Sequence, residues 1–350
     1  MVPSTACPQR PNSQQGTATS RVRLVVSAAV YWQVKTIRQL LLSIHAFLEC
    51  ATVLHLNALS SLAPDAVETL VGEPLFDGRA LLNSERLPME TPHSASPNSL
   101  LDIHVSNFKF ARARFGDMTH VLLMGEDERI VRPGLTVFLR SAPDAAISHL
   151  PRMGCASREQ TPSRVLCTAT LNHSCCPHKD RSFLWDPILK ILSDDFRRVF
   201  YGQIEGALFR REIFNDVEAA YTRAKRTVND NPSAHPNPTL GPQELYVPTA
   251  LMRLPCVRVV PGLTYVNWRA EFPCKLCVGG GDVLAIQRGQ RPGKFAVKLG
   301  SVASPHFRNL LARMAEMYVN SSRNDAVYTR WLERSRTLFY SNAPSAFNPL

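Results

Sequence analysis

Residues 21–57 contain the pattern that decides the fold: RVRLVVSAAV (21–30), then VKTIRQLLLSIHAFLEC (34–50), then ATVLHLN (51–57). The first and last segments are short, apolar and rich in β-branched residues, which is typical of buried strands. The middle segment places its apolar residues at helical spacing. A strand, an amphipathic helix and a second strand form a βαβ unit. The pattern therefore predicts an α/β fold with a parallel sheet.

The regular pattern continues after a variable stretch. SLLDIHVSNFKFARARF, from residue 99, predicts a helix, and residues 121–124 predict a third buried strand that runs directly into the acidic turn GEDE. Further strands are predicted at 79–83, 257–260 and 263–268, and a last amphipathic helix at 305–319. GGGD, at 279–282, is predicted to be a flexible turn, because it lacks the GK[ST] ending of a phosphate-binding loop.

Composition restricts the classes of function. The 350 residues are 45% hydrophobic and 20% charged, which is typical of a globular protein, and the formal net charge is +11. A positive balance favours an anionic ligand or surface. No dense run of Lys and Arg is interleaved with aromatic residues, so nucleic acid is not an expected partner. The first strand is not followed by GxGxxG, and no Walker sequence occurs, which argues against a dehydrogenase or a P-loop kinase.

The two ends of the chain differ from its centre. We predict a disordered leader at 1–20, one catalytic domain at 21–320 and a C-terminal extension at 321–350. No run of 18 apolar residues predicts a membrane-spanning helix, and no signal-peptide core is visible. The nine cysteines leave the redox compartment open. HSCCPH (173–178) and CKLC (274–277) could together hold zinc, but buried or disulfide-bonded cysteines fit their spacing better.

Several carboxylates are candidates for chemistry. GPQELYVPTALMRLP (241–255) predicts a helix with Pro242 in its first turn. Glu244 follows there and either stabilises the helix dipole or acts as a base. Glu205 faces a ligand or joins a surface ion pair. The acidic residues after the third strand form a solvated turn or part of a ligand site, because parallel sheets bind ligands at the carboxyl ends of their strands.

Three of these segments, in this order, resemble the core-2/I-branching N-acetylglucosaminyltransferases and their relatives, the protein O-xylosyltransferases. Residues 23–57 resemble the family's opening, which ends in His-Val-Asp, and residues 99–134 resemble its central helix and strand. Residues 241–255 resemble its Ser-Pro-Asp-Glu-x-x-x-x-Thr block. KFAVKLG (294–300) resembles its Phe-Ala-x-Lys-Phe motif. The resemblance covers roughly residues 21–313.

The resemblance implies a GT-A type fold, with a mostly parallel central sheet flanked by helices. It implies an inverting enzyme that moves N-acetylglucosamine or xylose from a UDP-sugar to a hydroxyl of a glycan or protein, with no divalent metal and no other cofactor. Glu244 would be the catalytic base and Lys298 would hold the diphosphate. Lys275 would be the second cation, with Arg269 as its rival. A base for the acceptor proton and cations for the leaving group are what this reaction needs.

Further residues are expected around the substrates. Asn57 stands where the family has the Asp that contacts uracil, although it carries no charge, and Ser27 of the first strand is expected near the nucleotide as well. Asp127 matches the acidic position of the family's central turn, and it is expected to line the sugar or acceptor side with its neighbour Glu126 and with Glu205, which lies between two glycines. The family implies a Golgi or secretory-pathway membrane, although its usual membrane anchor is not visible in this sequence. Two alternatives stay open: a degenerate member that binds a nucleotide or glycan without turnover, and a metal-dependent transferase that uses residues 126–128.

Overall fold

The protein is described here by a computed structural model. The structure describes residues 22–31, 33–48, 50–56, 60, 62–76, 78–85, 100–140, 144–148, 164–165, 187–193, 199–200, 202–230, 243–266, 278, 280–299, 305–321, 323–324, 326–328 and 330. The predicted leader at 1–20 lies outside these residues, as does most of the predicted C-terminal extension.

Strands and helices alternate through most of the described chain. The strands are β1 (Leu24–Val30), β2 (Ala51–Leu56), β3 (Ala80–Asn83), β4 (His120–Gly125), β5 (Glu128–Ile130), β6 (Ala145–Ser148), β7 (Arg164–Val165), β8 (Val199–Phe200), β9 (Gln203–Arg210), β10 (Val259–Pro261), β11 (Thr264–Tyr265) and β12 (Ala296–Lys298). The helices are α1 (Val34–Phe47), α2 (Pro64–Val71), α3 (Leu100–Arg114), α4 (Leu135–Arg140), α5 (Pro187–Leu192), α6 (Arg211–Asn229), α7 (Gln243–Leu251), α8 (Gly280–Gln287) and α9 (Pro305–Asn320).

A seven-stranded sheet in the order β10-β6-β9-β4-β1-β2-β3 forms the centre of the molecule. β1 pairs in parallel with β2 and with β4, β2 pairs in parallel with β3, and β10 pairs in parallel with β6. β9 runs antiparallel to both of its neighbours, β4 and β6. The predicted βαβ unit and the mostly parallel sheet are therefore confirmed, with one reversed strand that the sequence did not reveal.

Helices cover both faces of this sheet, because its strands are apolar on both sides. Val26 and Ala28 of β1 point to one core, in which α1, α2, α8 and α9 pack. Val25 points to the other core, in which α3, α5, α6 and α7 pack. Strands buried on both faces read as continuous apolar runs, which is how β1 and β2 appear in the sequence. The predicted arrangement of a sheet flanked by helices is confirmed.

A second, three-stranded sheet in the order β11-β12-β5 lies beside the end of the first. β12 is antiparallel to β5, with Lys298 opposite Glu128. The amide of Leu263 donates to the carbonyl of Gly206 at 3.2 Å, which joins the start of β11 to β9. The pairing of β5 with β12 joins two segments of the chain that are far apart in the sequence.

One predicted element was wrong and several shifted by a few residues. GGGD is not a turn, because Gly280 begins α8 and the apolar residues that follow, Val283 and Leu284, are buried. The helix predicted in 241–255 is observed at Gln243–Leu251, with Pro248 inside it. The domain boundary at residue 320 stays a prediction, and Tyr328 beyond it packs on the rings of Phe47 and Tyr318.

Gly206 of β9 packs closely against Thr264 of β11, and its backbone lies in the left-handed region. Its φ is +73°, and a Cβ there would lie 2.0 Å from Oγ1 of Thr264. We expect Gly206→Ala to destabilise the fold by about 3 kcal/mol, because the left-handed backbone and the overpacking each cost roughly 1–2 kcal/mol. Urea denaturation measures this. Gly116→Ala is the control, because no atom lies within 4 Å of its added Cβ. Equal stability of the two variants would contradict the prediction.

Candidate functional site

The parallel strands at the centre of the main sheet end almost level with one another. Ala29 is paired with both His55 and Gly125, and His55 is paired with Asn83. The carboxyl ends of β1, β2, β3 and β4 therefore form one edge. Ligands of α/β proteins bind outside such an edge. We call it the carboxyl edge.

The acidic turn that follows β4 is tied to this edge by its own carboxylates. Glu126 is buried and accepts a hydrogen bond from the amide of Tyr31 at 2.7 Å. Glu128 is fully buried and accepts from the amide of Gly125 at 2.7 Å and from the hydroxyl of Thr264 at 2.6 Å. Burial raises the pKa of Glu128 to about 8, against the opposing charge of Lys298. Two side chains of this turn, Glu126 and Glu128, are therefore withdrawn from solvent, whereas Gly125 and Asp127 are partly exposed.

The central feature of the site is an ion pair between two elements far apart in the sequence. Nζ of Lys298 lies 2.9 Å from Oε1 of Glu205, and the two side chains are only 15% and 13% exposed. Burial alone would lower the pKa of Lys298, but the charges of Glu205, Asp127 and Glu128 outweigh it and raise that pKa. Burial alone would raise the pKa of Glu205, but Lys298 outweighs it and lowers that pKa. Both partners are thus held in their charged forms.

Asp127 and Tyr31 complete the accessible side of the cluster. Burial raises the pKa of Asp127, while the charge of Lys298 opposes that rise. Tyr31 is the residue that directly follows β1, and it is 42% exposed. Burial and the charge of Glu126 raise the pKa of its phenol, so the ring stays neutral beside the carboxylates. An exposed aromatic ring next to carboxylates offers both stacking and hydrogen bonding to a sugar.

Ser27, which is expected near the nucleotide, lies in the middle of β1 and is buried. Its hydroxyl is 2.8 Å from Nδ1 of His104. Asn107 also donates to the Ser27 hydroxyl, at 3.1 Å. Ser27 thus belongs to a polar network under the carboxyl edge. His104 was missed by sequence reasoning, because a single His on an amphipathic helix gives no signal of its own.

Of the residues predicted to form the site, the structure brings Lys298, Glu205 and Asp127 together, with Glu126 in the same turn. Asn57 and Lys275 lie outside the described residues. So do Arg269 and the Cys and His residues of the zinc hypothesis. Glu244 lies in the first turn of α7, although its side chain is not among those described. The roles of all these residues stay predictions.

A separate cleft of about 350 Å³ lies between α3 and α6. It is lined by residues that include Asp102, Lys109 and Lys225, but by none of the carboxyl-edge cluster. Lys225 pairs with Asp102 at 2.9 Å, and Lys109 pairs with Glu218 at 3.3 Å. None of the residues expected to bind the nucleotide, the sugar or the acceptor lines this cleft. We therefore place the candidate site at the carboxyl edge.

Two properties of the described residues bear on the predictions of a metal site and of a membrane anchor. Within the described ranges, no three His, Cys, Asp or Glu side chains are grouped so that they could hold a metal ion. Oε2 of Glu126 accepts from the amide of Tyr31, and the two oxygens of Glu128 accept from the amide of Gly125 and the hydroxyl of Thr264, which gives no support to a metal site built on residues 126–128. Among the helices described, none has the length and apolar composition needed to cross a membrane.

Comparison with known proteins gives a distant likeness in structure only. No protein-family model matches the chain, and no curated protein matches it. The apo-form glycosyltransferase GlyE of Streptococcus pneumoniae TIGR4 is 13% identical, with 90% of this chain and 64% of GlyE covered and a TM-score of 0.37. S. aureus TarS 1–349 is 14% identical, with 94% and 76% covered and a TM-score of 0.36.

A third solved structure is that of the galactosyltransferase LgtC in complex with donor and acceptor sugar analogs. It is 12% identical, with 85% of this chain and 94% of LgtC covered and a TM-score of 0.34. This chain spans 64% of the GlyE chain. Likenesses of this size carry no argument about donor, acceptor or mechanism. What the structure itself establishes is the class: an α/β protein with a mostly parallel sheet and a charged cluster at its carboxyl edge.

Proposed function

We propose that this protein is a GT-A type glycosyltransferase that moves a sugar, N-acetylglucosamine or xylose, from a UDP-sugar to a hydroxyl of a glycan or protein. The observation that carries the proposal is the cluster at the carboxyl edge. Lys298 meets Glu205 there at 2.9 Å, beside the acidic turn that contains Asp127. The family resemblance implies that Lys298 holds the diphosphate and that Asp127 lines the sugar or acceptor side, where Glu205 is also expected.

The reaction needs a base and a place for the departing negative charge. Glu244 would take the proton of the acceptor hydroxyl as its oxygen attacks the anomeric carbon with inversion. Lys298 would stabilise the leaving UDP, because its ammonium has three N–H donors and only one is given to Glu205. Because the carboxylates of the cluster repel a diphosphate, a second cation is required. Lys275 is the residue that the resemblance supplies, and the proposal uses no divalent metal.

A second candidate function is nucleotide or glycan binding without turnover. It is favoured by one observation on the site and one on the sequence. Lys298 is enclosed by carboxylates and paired with Glu205, and Asn57 stands where the resembled family has an Asp. A secretory-pathway location and membrane association also stay proposals that rest on the resemblance alone.

Binding and turnover of nucleotide sugars test these two functions together. We expect UDP-N-acetylglucosamine or UDP-xylose to raise the melting temperature in the presence of EDTA. A ligand at 100 times its Kd stabilises a fold by about 2.7 kcal/mol. ADP-glucose is the control for the uracil base. Transfer or hydrolysis in EDTA supports the metal-independent enzyme, and binding without either supports the second function. If no UDP compound binds, the transferase and the nucleotide-binding form of the second function are both wrong.

A further inference from the structure

Several buried polar side-chain atoms have no hydrogen-bond partner in the described part of the chain. Among those near the carboxyl edge are Nε2 of His104 and Oε2 of Glu205. His104 is fully buried, and the side chain of Glu205 is 13% exposed. A buried donor or acceptor left unsatisfied costs about 1–3 kcal/mol. Such groups persist in native proteins when a ligand or water satisfies them.

The surrounding hydrogen bonds favour one tautomer of the neutral His104 ring. Nδ2 of Asn107 lies 3.1 Å from the carbonyl oxygen of Val53, which can only accept, so this atom is the amide nitrogen. The same nitrogen lies 3.1 Å from the hydroxyl oxygen of Ser27 and 3.4 Å from the carbonyl oxygen of Ala28. When it donates to Ser27, the hydroxyl proton of Ser27 can point at Nδ1 of His104, 2.8 Å away. This arrangement favours the tautomer in which Nδ1 accepts and the ring proton lies on Nε2 as an unsatisfied donor.

Glu205 supplies the complementary group. Its Oε1 accepts from Lys298, which keeps the carboxylate charged and lowers its pKa. Oε2 is thus an unsatisfied acceptor with negative charge. His104 stays neutral at physiological pH, because burial lowers its pKa to about 4. Nε2–H of His104 is a neutral donor and Oε2 of Glu205 is a charged acceptor. Each of the two still lacks a hydrogen-bond partner.

The two side chains approach the same place from different elements. His104 lies over Ser27 of β1, whose neighbour on β4 is Leu123. Two residues further along β4 is Gly125, and Cγ of Glu205 lies 3.6 Å from the position that a Cβ of Gly125 would occupy. Glu205 therefore lies against Gly125 at the end of β4. Each of the two groups also shifts the titration of the other.

We infer that His104 and Glu205 together bind one hydroxyl group of a nucleotide sugar, with Nε2–H donating to the hydroxyl oxygen and Oε2 accepting its proton. A hydroxyl both donates and accepts, so it satisfies the two groups at once. This inference rests on the proposed function. The hydroxyl belongs either to the ribose or to the transferred sugar, and binding measurements separate these sources.

The test compares His104→Phe, which removes the donor, with His104→Gln, which keeps an N–H group. His120→Phe is the matched control: His120 is also buried, its pKa is also lowered to about 4, and its Nε2 also has no partner within the described chain. His120 lies at the start of β4, paired with Leu24, at the opposite edge of the sheet.

We expect His104→Phe to raise the Kd for UDP-N-acetylglucosamine about tenfold, the size of one lost hydrogen bond. His104→Gln should raise it less, and His120→Phe should not change it. If the Kd for UDP rises equally, the hydroxyl is on the ribose. If UDP is unaffected, it is on the transferred sugar. Unchanged Kd values for both ligands in His104→Phe would overturn the inference, because the pair would then hold only water.

A second measurement does not depend on a variant that folds or on the proposed function. The wild-type protein labelled with ¹⁵N-histidine reports the Nε2 resonance of His104 directly. Free N-acetylglucosamine and free xylose at high concentration should shift this resonance and leave that of His120 in place. If no UDP compound binds but a free sugar shifts it, the proposed function is wrong and the hydroxyl site stands. If neither UDP-sugars nor free sugars shift it, the hydroxyl site is wrong.

Discussion

Lys298→Met is expected to destabilise the fold by about 3–5 kcal/mol, because it leaves the charge of Glu205 buried without its partner. The two side chains are 15% and 13% exposed, so solvent screens this pair little. Urea denaturation at neutral pH measures the loss. Lys109→Met is the matched control: its partner is Glu218, and its own side chain is 47% exposed. Its loss should stay below about 1 kcal/mol.

The pH dependence identifies the cause of the loss. In the wild type the pKa of Glu205 is lowered in the folded state. This group contributes stability above its unfolded pKa, and that stability is lost as the pH falls through the folded pKa. Without Lys298 burial dominates and the folded pKa rises above the unfolded one. The variant then regains stability on acidification, so its deficit relative to the wild type should shrink between neutral pH and about pH 4.

The double variant Lys298→Met/Glu205→Gln separates stability from function. Two neutral side chains replace the pair, and we expect most of the lost free energy of unfolding to return. If Lys298 also holds the diphosphate, the restored fold should still fail to bind UDP and to transfer sugar. A double variant that is stable and binds UDP with the wild-type affinity would assign Lys298 a structural role only. A single variant as stable as the wild type would contradict the ion-pair argument itself.

The parts of the fold that the sequence predicted are those whose signal is local. β1, α1 and β2 were predicted from continuous apolar runs and helical spacing, and their observed bounds differ by only a few residues. The reversed direction of β9 and the pairing of β12 with β5 were not predicted, since pairing partners distant in sequence leave no periodic pattern. The glycines of GGGD predicted a turn, because Gly has a low helix propensity. The burial of Val283 and Leu284 in the core outweighs that propensity, and the segment forms the start of α8.

The same distinction between local and long-range signals applies to the residues of the site. Motif resemblance selected Lys298 and Asp127, the flanking glycines drew attention to Glu205, and the structure places the three in one cluster. His104 and Thr264 could not be selected, because their importance comes from contacts across the fold to Ser27 and Glu128. Glu128 was read only as one of three acidic residues in a turn. Its full burial, which raises its pKa to about 8, follows from the second sheet and not from the turn.

Glu244→Gln is expected to lower the rate of sugar transfer about 10²–10⁴-fold while UDP-sugar binding stays within a few-fold of wild type. Gln has nearly the shape of Glu but cannot accept a proton from an attacking hydroxyl. Single-turnover transfer to an acceptor, together with calorimetric binding of UDP-N-acetylglucosamine, measures the two quantities separately. A variant that transfers at the parent rate would show that Glu244 is not the base.

The competing explanation for Glu244 is that an acidic residue in the first turn of α7 only favours the helix dipole. That role contributes typically 0.3–1 kcal/mol to stability and nothing to the chemistry. Glu212 is its matched control, because it occupies the first turn of α6 and is exposed. Glu212→Gln should lose a similar small amount of stability and keep full transfer. If the two variants lose equal stability but only Glu244→Gln loses transfer, the dipole cannot explain the difference, and proton acceptance by this carboxylate does.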